Sequence, residues 1–248
     1  MSLVPYFEVK PEAVHLHVDG QNDFGKEGAP MQVPGGWDTQ EFCADMIDAF
    51  AQGENAEDNN AATADWHDED HDTFGPTRGV PSFTEIDTPF GKQLCWNVHC
   101  VKNSEGARYM PKIEAAIERN NVPVLRKGTD RMVDSLSGVR DKNGTAPRFD
   151  HGPHTGKSLV ELLREKGKTD VFLTGLCEEI CVADNASDLV DEGFNVYIVL
   201  EGTRPLNAEA AVAKRAELEA KGVKYITAAE LPQYAGKPQP EKKYEFNF

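Results

Sequence analysis

The sequence predicts an α/β fold, a three-layer αβα arrangement around a mainly parallel, doubly wound sheet of about six strands. Three observations carry this. Short apolar runs alternate with helical patterns along most of the chain, which is the signature of a parallel sheet covered on both faces. The runs end in polar or glycine-bearing loops, where such sheets place their ligands. The 248 residues suffice for one domain with a sizeable core.

The elements follow in order. AVHLHVD (Ala13 to Asp19) is the first strand, and a helix through Phe42, Met46, Ile47 and Phe50 comes next. AATAD (Ala61 to Asp65) is a second strand, and Trp66 to Met110 reads as mostly loop. A helix near Ile113 to Glu118 precedes the strand NVPVLRK, which ends at Lys127. SLVELLREKG forms a helix with Leu159, Leu162 and Leu163 on its apolar face. Strand DVFLTG (Asp170 to Gly175) leads into a helix carrying Val182, Ala186, Leu189 and Val190 on one side. Strand NVYIVL, a helix over Ala208 to Ala220 and strand VKYIT close the series. From about residue 233 the tail reads as a polar, proline-containing extension of a single domain.

Charge and composition exclude some functions. Asp+Glu number 42 against Lys+Arg 26, a formal net charge of -16, which repels nucleic acid and anionic lipid. No apolar stretch reaches membrane-spanning length, and the amino-terminal MSLVPYFEVKPEAV lacks a basic region followed by a long apolar run. Five cysteines, an odd number, argue for reduced thiols and against a disulfide framework. A soluble, cytoplasmic protein is expected, with homo-oligomerisation left open.

Asp19, Asp65, Lys127 and the loop GLCEEIC (Gly175 to Cys181) all fall at strand ends, so they can converge on one rim. Cys181 opens a helix, whose unpaired N–H groups favour a thiolate, while Glu178 and Glu179 oppose it. Asp19 could act as its base and Lys127 as an offsetting charge. DWHDEDH (Asp65 to His71) is either a metal loop or a solvated acidic turn. Asp65, His67 and His71, with His99 from CWNVHC, would leave a coordination position open for water or substrate. HxHxDG at His15, His17 and Asp19 echoes metal-dependent barrel hydrolases, but the later strands carry no histidines, so both are expected to be packed or hydrogen-bonded strand residues. HTGKS lacks the phosphate-loop glycine, since His151 stands in its place, and neither Cys177–Cys181 nor Cys95–Cys100 has CxxC spacing.

Five blocks in order, VDGQNDF with its downstream VPGG, ADWHDEDHDTF, WNVHCVKNSEGA, RKGTDRMVDSLSG and GLCEEICV, resemble the nicotinamidase/pyrazinamidase branch of the isochorismatase-like cysteine hydrolases. The resemblance implies a catalytic triad of Asp19, Lys127 and Cys181. It also implies an oxyanion hole from the backbone N–H groups of Cys177 and Cys181, with a cis peptide between Leu176 and Cys177. Asp65, His67 and His99 match the ligands of one divalent metal, zinc ahead of iron or manganese, and His71 matches a histidine that lies near that metal and sometimes coordinates it. Phe24 and Trp96 match an aromatic pair that sandwiches the substrate ring. Leu136 stands in the pocket where relatives often have Tyr, Glu179 where Asp is common, and the stretch from Gly75 to Lys92 is longer than a minimal version. The implied activity is hydrolysis of a small heteroaromatic amide, nicotinamide to nicotinate and ammonia in NAD salvage, through a thioester on Cys181. The alternatives are another small amide, a metal-hydroxide hydrolase, or a catalytically silent metal-binding protein.

Overall fold

The computed structural model describes residues 2–52 and 58–238. Strand β1 (Phe7–Val9) lies outside the main sheet, and β2 (Ala13–Val18), all six residues buried, runs through its centre. Burial on both faces suits the continuous apolar character of a central parallel strand. A short helix α1 (Asn22–Gly25) is followed by α2 (Gln40–Phe50), which buries Phe42, Cys43, Met46, Ile47 and Phe50 on one side. Strand β3 (Asn60–Asp65) is again fully buried.

The expected long loop is interrupted by a short helix α3 (Gly75–Arg78) and by β4 (Glu85–Thr88) and β5 (Gly91–Leu94). Among the described residues these two strands pair only with each other, antiparallel. EIDT and GKQL contain no apolar run, because a hairpin outside the core has little to bury.

Helix α4 (Pro111–Arg119) starts on a proline, whose missing N–H costs nothing in a first turn. Strand β6 (Val124–Lys127) follows, then α5 (Leu159–Glu165), which begins with a reciprocal capping box between Ser158 and Glu161. After β7 (Asp170–Leu176), one wide turn over Glu178–Val182 with π-helical bonding runs into α6 (Ala183–Asp191). Strand β8 (Asn195–Arg204) leads to α7 (Ala208–Lys221), where the Asn207 side chain accepts from the backbone N–H groups of Glu209 and Ala210. Strand β9 (Lys224–Ile226), α8 (Leu231–Tyr234) and β10 (Gly236–Pro238) complete the described chain.

The six-stranded sheet has the order β6-β3-β2-β7-β8-β9, and every adjacent pair is parallel. The chain builds outward from β2 to β3 and β6, then returns to β2's other side for β7, β8 and β9. The reversal at β2/β7 opens a crevice at the carboxyl ends of these strands.

Alternation along β2 sorts its side chains between the two helical layers. Val14, Leu16 and Val18 pack with Leu159, Leu162 and Leu163 of α5 and Ala186 and Leu189 of α6. On the other side, Ile47 of α2 and Ile113 and Ile117 of α4 cover Ala62 and Ala64, while Phe42, Met46 and Phe50 meet Phe172, Tyr197 and Val199. Each such large apolar side chain contributes about 1.5–3 kcal/mol relative to exposure.

His15 and His17 point to the α2 side and form a hydrogen-bonded chain with one consistent direction. His17 Nδ1 donates to Thr174 Oγ1 (3.0 Å), that hydroxyl donates to His15 Nε2 (2.8 Å), and His15 Nδ1 donates to Asn60 Oδ1 (3.0 Å). Asn60 Nδ2 then donates to the Ile47 carbonyl. They are buried, hydrogen-bonded strand residues, as expected, with His17 Nε2 left without a partner. The tail is bound further than expected, since Gly236–Pro238 pairs antiparallel with Phe7–Val9. Residues 239–248 lie outside the described chain. Among the described residues no helix is long and apolar enough to cross a membrane.

Candidate active site

Four strand ends deliver the predicted groups to the crevice. Asp19 follows β2 in a left-handed conformation (φ 47°), and its Oδ1 accepts from the Thr63 hydroxyl (2.7 Å). Its fully buried Oδ2 lies 2.9 Å from Lys127 Nζ but accepts no aligned hydrogen. Lys127, at the end of β6 and 0% exposed, donates to Asp65 Oδ1 (2.5 Å) and the Ser135 carbonyl (3.0 Å) and faces the Cys181 sulfur at 3.8 Å. Gly175 permits this convergence, because a Cβ there would fall 1.8 Å from the Val18 carbonyl oxygen.

Burial opposes charge on Lys127, but Asp19 and Asp65 outweigh it and hold its pKa well above the ordinary value. The group is a permanent ammonium. Burial pushes the Asp19 carboxyl up against the pull of Lys127, and it pushes the Cys181 thiol well up, Lys127 again opposing. The resting pair is therefore a thiol beside a carboxylate of raised basicity, and a proton can pass between them.

The acids beside Cys181 behave differently from expectation. Glu178 forms a two-pronged pair with Arg215, and Glu179 accepts from the backbone N–H groups of Leu206 (3.1 Å) and Asn207 (2.6 Å). Both carboxylates are thus spent on holding α7 and the loop before it. Cys181 also lies inside the Glu178–Val182 turn, ahead of α6, so its nearest fixed positive charge is Lys127. The peptide between Leu176 and Cys177 is cis, as the resemblance implied.

A second cluster adjoins the first. One oxygen of Asp65 and the Nε2 atoms of His67 and His99 lie within 4.8 Å of one another, Asp65 Oδ2 being 3.6 Å from each ring nitrogen. His67 Nδ1 donates to the Gly128 carbonyl (3.0 Å) and His99 Nδ1 to the Asn97 carbonyl (2.7 Å). Committing both Nδ1 hydrogens this way aims the Nε2 lone pairs at the carboxylate, an arrangement that asks for a cation. Burial disfavours a charged His67, yet Asp65 outweighs it and raises the pKa, so the spot already favours positive charge. These residues fit a divalent metal with open coordination positions. Gly128, at φ 63°, leaves room for the His67 ring, which a Cβ would meet at 2.3 Å.

His71 is not brought into this set. Its Nδ1 pairs with Thr73 Oγ1 (2.9 Å) and its Nε2 donates to the Asp130 carbonyl (2.9 Å), leaving its ring against that of His67 at 4.6 Å. Both its nitrogens are bonded elsewhere, and its ring packs on His67.

Phe24, Trp96 and Leu136 line a cavity of about 380 Å³, partly open to solvent, that also touches Cys177, Cys181, Asp65, His67 and His99. Asp134 lines the same space, and sequence reasoning missed it. Gln21 was missed too: its amide donates to the Asp65 and Ala107 carbonyls and accepts from Asp65 N–H, each at 2.8 Å, fixing the backbone that presents Asp65. Gln21 sits inside VDGQNDF and Asp134 inside VDSLSG, so the blocks contained them without revealing their roles.

The description of the matching family model is Isochorismatase domain, and it covers residues 13–230. The nicotinamidase of Escherichia coli (strain K12) is 30% identical over 229 residues, covering 91% of this chain and 100% of that one. Among solved structures, PnC1 from L. infantum in complex with nicotinate has a TM-score of 0.69 at 28% identity, covering 91% of this chain and 98% of that one. The pyrazinamidase of Pyrococcus horikoshii in complex with zinc has a TM-score of 0.66 at 26% identity, over 88% and 99% of the two chains. The parallel sheet, the converged strand ends and these likenesses agree: the chain belongs to the isochorismatase family, in its nicotinamidase/pyrazinamidase branch, and is an amidohydrolase.

Proposed function

We propose that this enzyme hydrolyses nicotinamide to nicotinate and ammonia through a thioester on Cys181. The observation that carries the reading is the grouping of the buried Asp19 carboxylate with the Cys181 thiol around the Lys127 ammonium, which lies 2.9 Å from Asp19 Oδ2 and 3.8 Å from the Cys181 sulfur. The nicotinate held by one relative and the zinc held by another agree with the substrate and with the metal site.

In this reaction Asp19 Oδ2 takes the thiol proton as Cys181 sulfur bonds to the amide carbon, with the charge of Lys127 favouring the thiolate. The backbone N–H groups of Cys177 and Cys181 hold the developing oxyanion. The C–N bond breaks as Asp19 returns its proton to the departing ammonia. Asp19 then deprotonates water, which attacks the thioester, releasing nicotinate and restoring the thiol. Phe24 and Trp96 flank the ring, and Leu136 leaves more space than a larger side chain would. Asp65, His67 and His99 would hold a divalent metal, zinc first, which supplies a Lewis-acid anchor for the ring nitrogen.

The test is ammonia release from nicotinamide, with pyrazinamide and benzamide alongside. Nicotinamide should turn over, benzamide poorly, and Cys181→Ala should abolish turnover while retaining metal. Mass spectrometry with an aldehyde analogue should find the adduct on Cys181; an adduct on Cys177, or turnover by Cys181→Ala, sinks the thioester.

A further inference from the structure

Asp134 is a buried carboxylate (3% exposed) on the wall of the ring cavity, and its hydrogen-bond partners are all neutral. Oδ2 accepts from the indole Nε1 of Trp96 (3.2 Å) and from Nε2 of Gln93 (3.3 Å), and Oδ1 accepts from the Ser135 backbone N–H (2.9 Å). Burying a charge against neutral donors is expensive unless it does something a neutral group cannot. An asparagine would fit this position badly, because its NH2 would confront either the Ser135 N–H or the two side-chain donors.

The two side-chain donors come from the long segment after His71. Gln93 lies on β5 of the hairpin, and Trp96 stands two residues beyond it. Trp96 is held through its backbone by Thr73 and Gly75 (N to O distances 2.7 and 2.9 Å), bonds that do not themselves orient the buried indole. On its outer edge the indole meets Phe83, a half-exposed residue at φ 65°. Within the apolar packing around it, which includes Phe24, Leu136 and Ile180, the indole's polar edge is fixed by the bond from Nε1 to Asp134.

We infer that Asp134 is a positioning residue for substrate recognition: its carboxylate locks the Trp96 indole as one wall of the heteroaromatic ring site and ties the Glu85–Leu94 hairpin to that wall. The inference rests on the proposed ring-binding role of Trp96. A locked indole presents its face to a flat ring with no rotamer left to lose on binding, so the carboxylate contributes affinity without touching the substrate. Through Gln93 the same oxygen makes the hairpin's placement and the ring site one unit.

The experiment compares wild type with Asp134→Ala, Asp134→Asn, Trp96→Phe and the double variants, reading kcat and KM for nicotinamide. Asp134→Ala should raise KM about tenfold or more, the size expected for a lost charge-assisted hydrogen bond, with kcat within about threefold. Asp134→Asn should show a smaller rise, since its amide oxygen can keep the bonds from Trp96 and Gln93 while its NH2 forfeits only the one from the Ser135 N–H. Trp96→Phe removes the donor, so in that background either Asp134 change should raise KM less than about twofold further. Equal KM effects in both backgrounds, or a loss confined to kcat, overturn the inference. A readout independent of turnover is the 15N-indole spectrum, in which Trp96 is one of three tryptophan signals and is identified by its loss in Trp96→Phe. Asp134→Asn should move that signal upfield and leave Trp37 and Trp66 in place. A stationary Trp96 signal overturns the inference, whereas a shifted signal in an enzyme inert towards nicotinamide supports the anchor and removes the substrate assignment.

Discussion

Two pairs of buried histidines sit near the carboxylates of the candidate site, Asp19 and Asp65, and have opposite characters. His67 and His99 each give their Nδ1 hydrogen to a backbone carbonyl and turn Nε2 towards Asp65. His15 and His17 share Thr174 in a chain that ends on a backbone carbonyl and contains no carboxylate. Burial is nearly the same in both pairs, from 0% to 5% exposed. What separates a potential ligand from a core residue is the partner of the second ring nitrogen.

The largest effect should come from the residue that joins the metal cluster to the catalytic one. Asp65→Ala removes a donor from the metal set and one of the two carboxylates compensating Lys127, and leaving that ammonium under-compensated is costly. Metal content and turnover should both collapse, turnover by more than about a thousandfold. Elemental analysis and ammonia release check this; a variant that keeps metal would separate the two clusters.

Next in size, His67→Ala and His99→Ala should lower metal affinity at least about a hundredfold and weaken nicotinamide binding, while Cys181 stays alkylatable. His15→Ala and His17→Ala should do the reverse, keeping metal and losing about 2–4 kcal/mol of stability, since each leaves a cavity and breaks the Thr174 chain. Metal titration and denaturant melts on the four variants either sharpen the contrast or abolish it.

Acid should reveal the interior pair by itself. Burial lowers the His15 pKa to about 4, and burial with repulsion from His15 lowers that of His17 to about 3. Well above pH 6.5 both are neutral in either state and stability is unaffected by them. As pH falls below 6.5 the unfolded chain takes protons that the folded one refuses, so stability drops until the folded pKa values are passed. Each histidine should account for a few kcal/mol over that window. Melts between pH 7 and 4 should show the slope, reduced in a His15→Gln, His17→Leu variant; an unchanged slope would assign the acid sensitivity to other groups.

The smallest effect should be that of His71→Ala. With both ring nitrogens bonded away from the cluster, its loss should cost metal affinity about tenfold or less. A loss as large as that of His99→Ala would make it a ligand.

The sheet was legible because β2, β7 and β8 carry clear apolar runs, and α2, α4, α5 and α6 carry apolar faces at helical spacing, whereas α7 buries only Ala211 and Leu218. The β4–β5 hairpin was not, since it buries almost nothing, and β1–β10 was not, since Phe7 and Pro238 are paired across nearly the whole chain. Strand ends ranked Asp19, Asp65, Lys127 and Cys181 correctly for convergence. Local sequence misjudged the electrostatics of Cys181, because neighbours in sequence, Glu178 and Glu179, turn away, while Lys127 arrives from another strand. Asp134 had no signal of its own in a chain with 42 acids; only its side-chain partners, Gln93 and Trp96, distant in sequence, distinguish it.

The two oxygens of Asp19 are not equivalent, since Oδ1 accepts from the Thr63 hydroxyl while Oδ2 lies 2.9 Å from the Lys127 ammonium and accepts no aligned hydrogen. In the proposed reaction every proton must then enter and leave by Oδ2, so ammonia departs from the same berth that the hydrolytic water must fill. The order of events is fixed: one small molecule has to vacate before the next arrives. Ammonia at high concentration becomes a competitor of water for the acyl-enzyme, and isotopic nitrogen supplied as ammonium should be written into unreacted amide during turnover, in proportion to how often the berth is retaken.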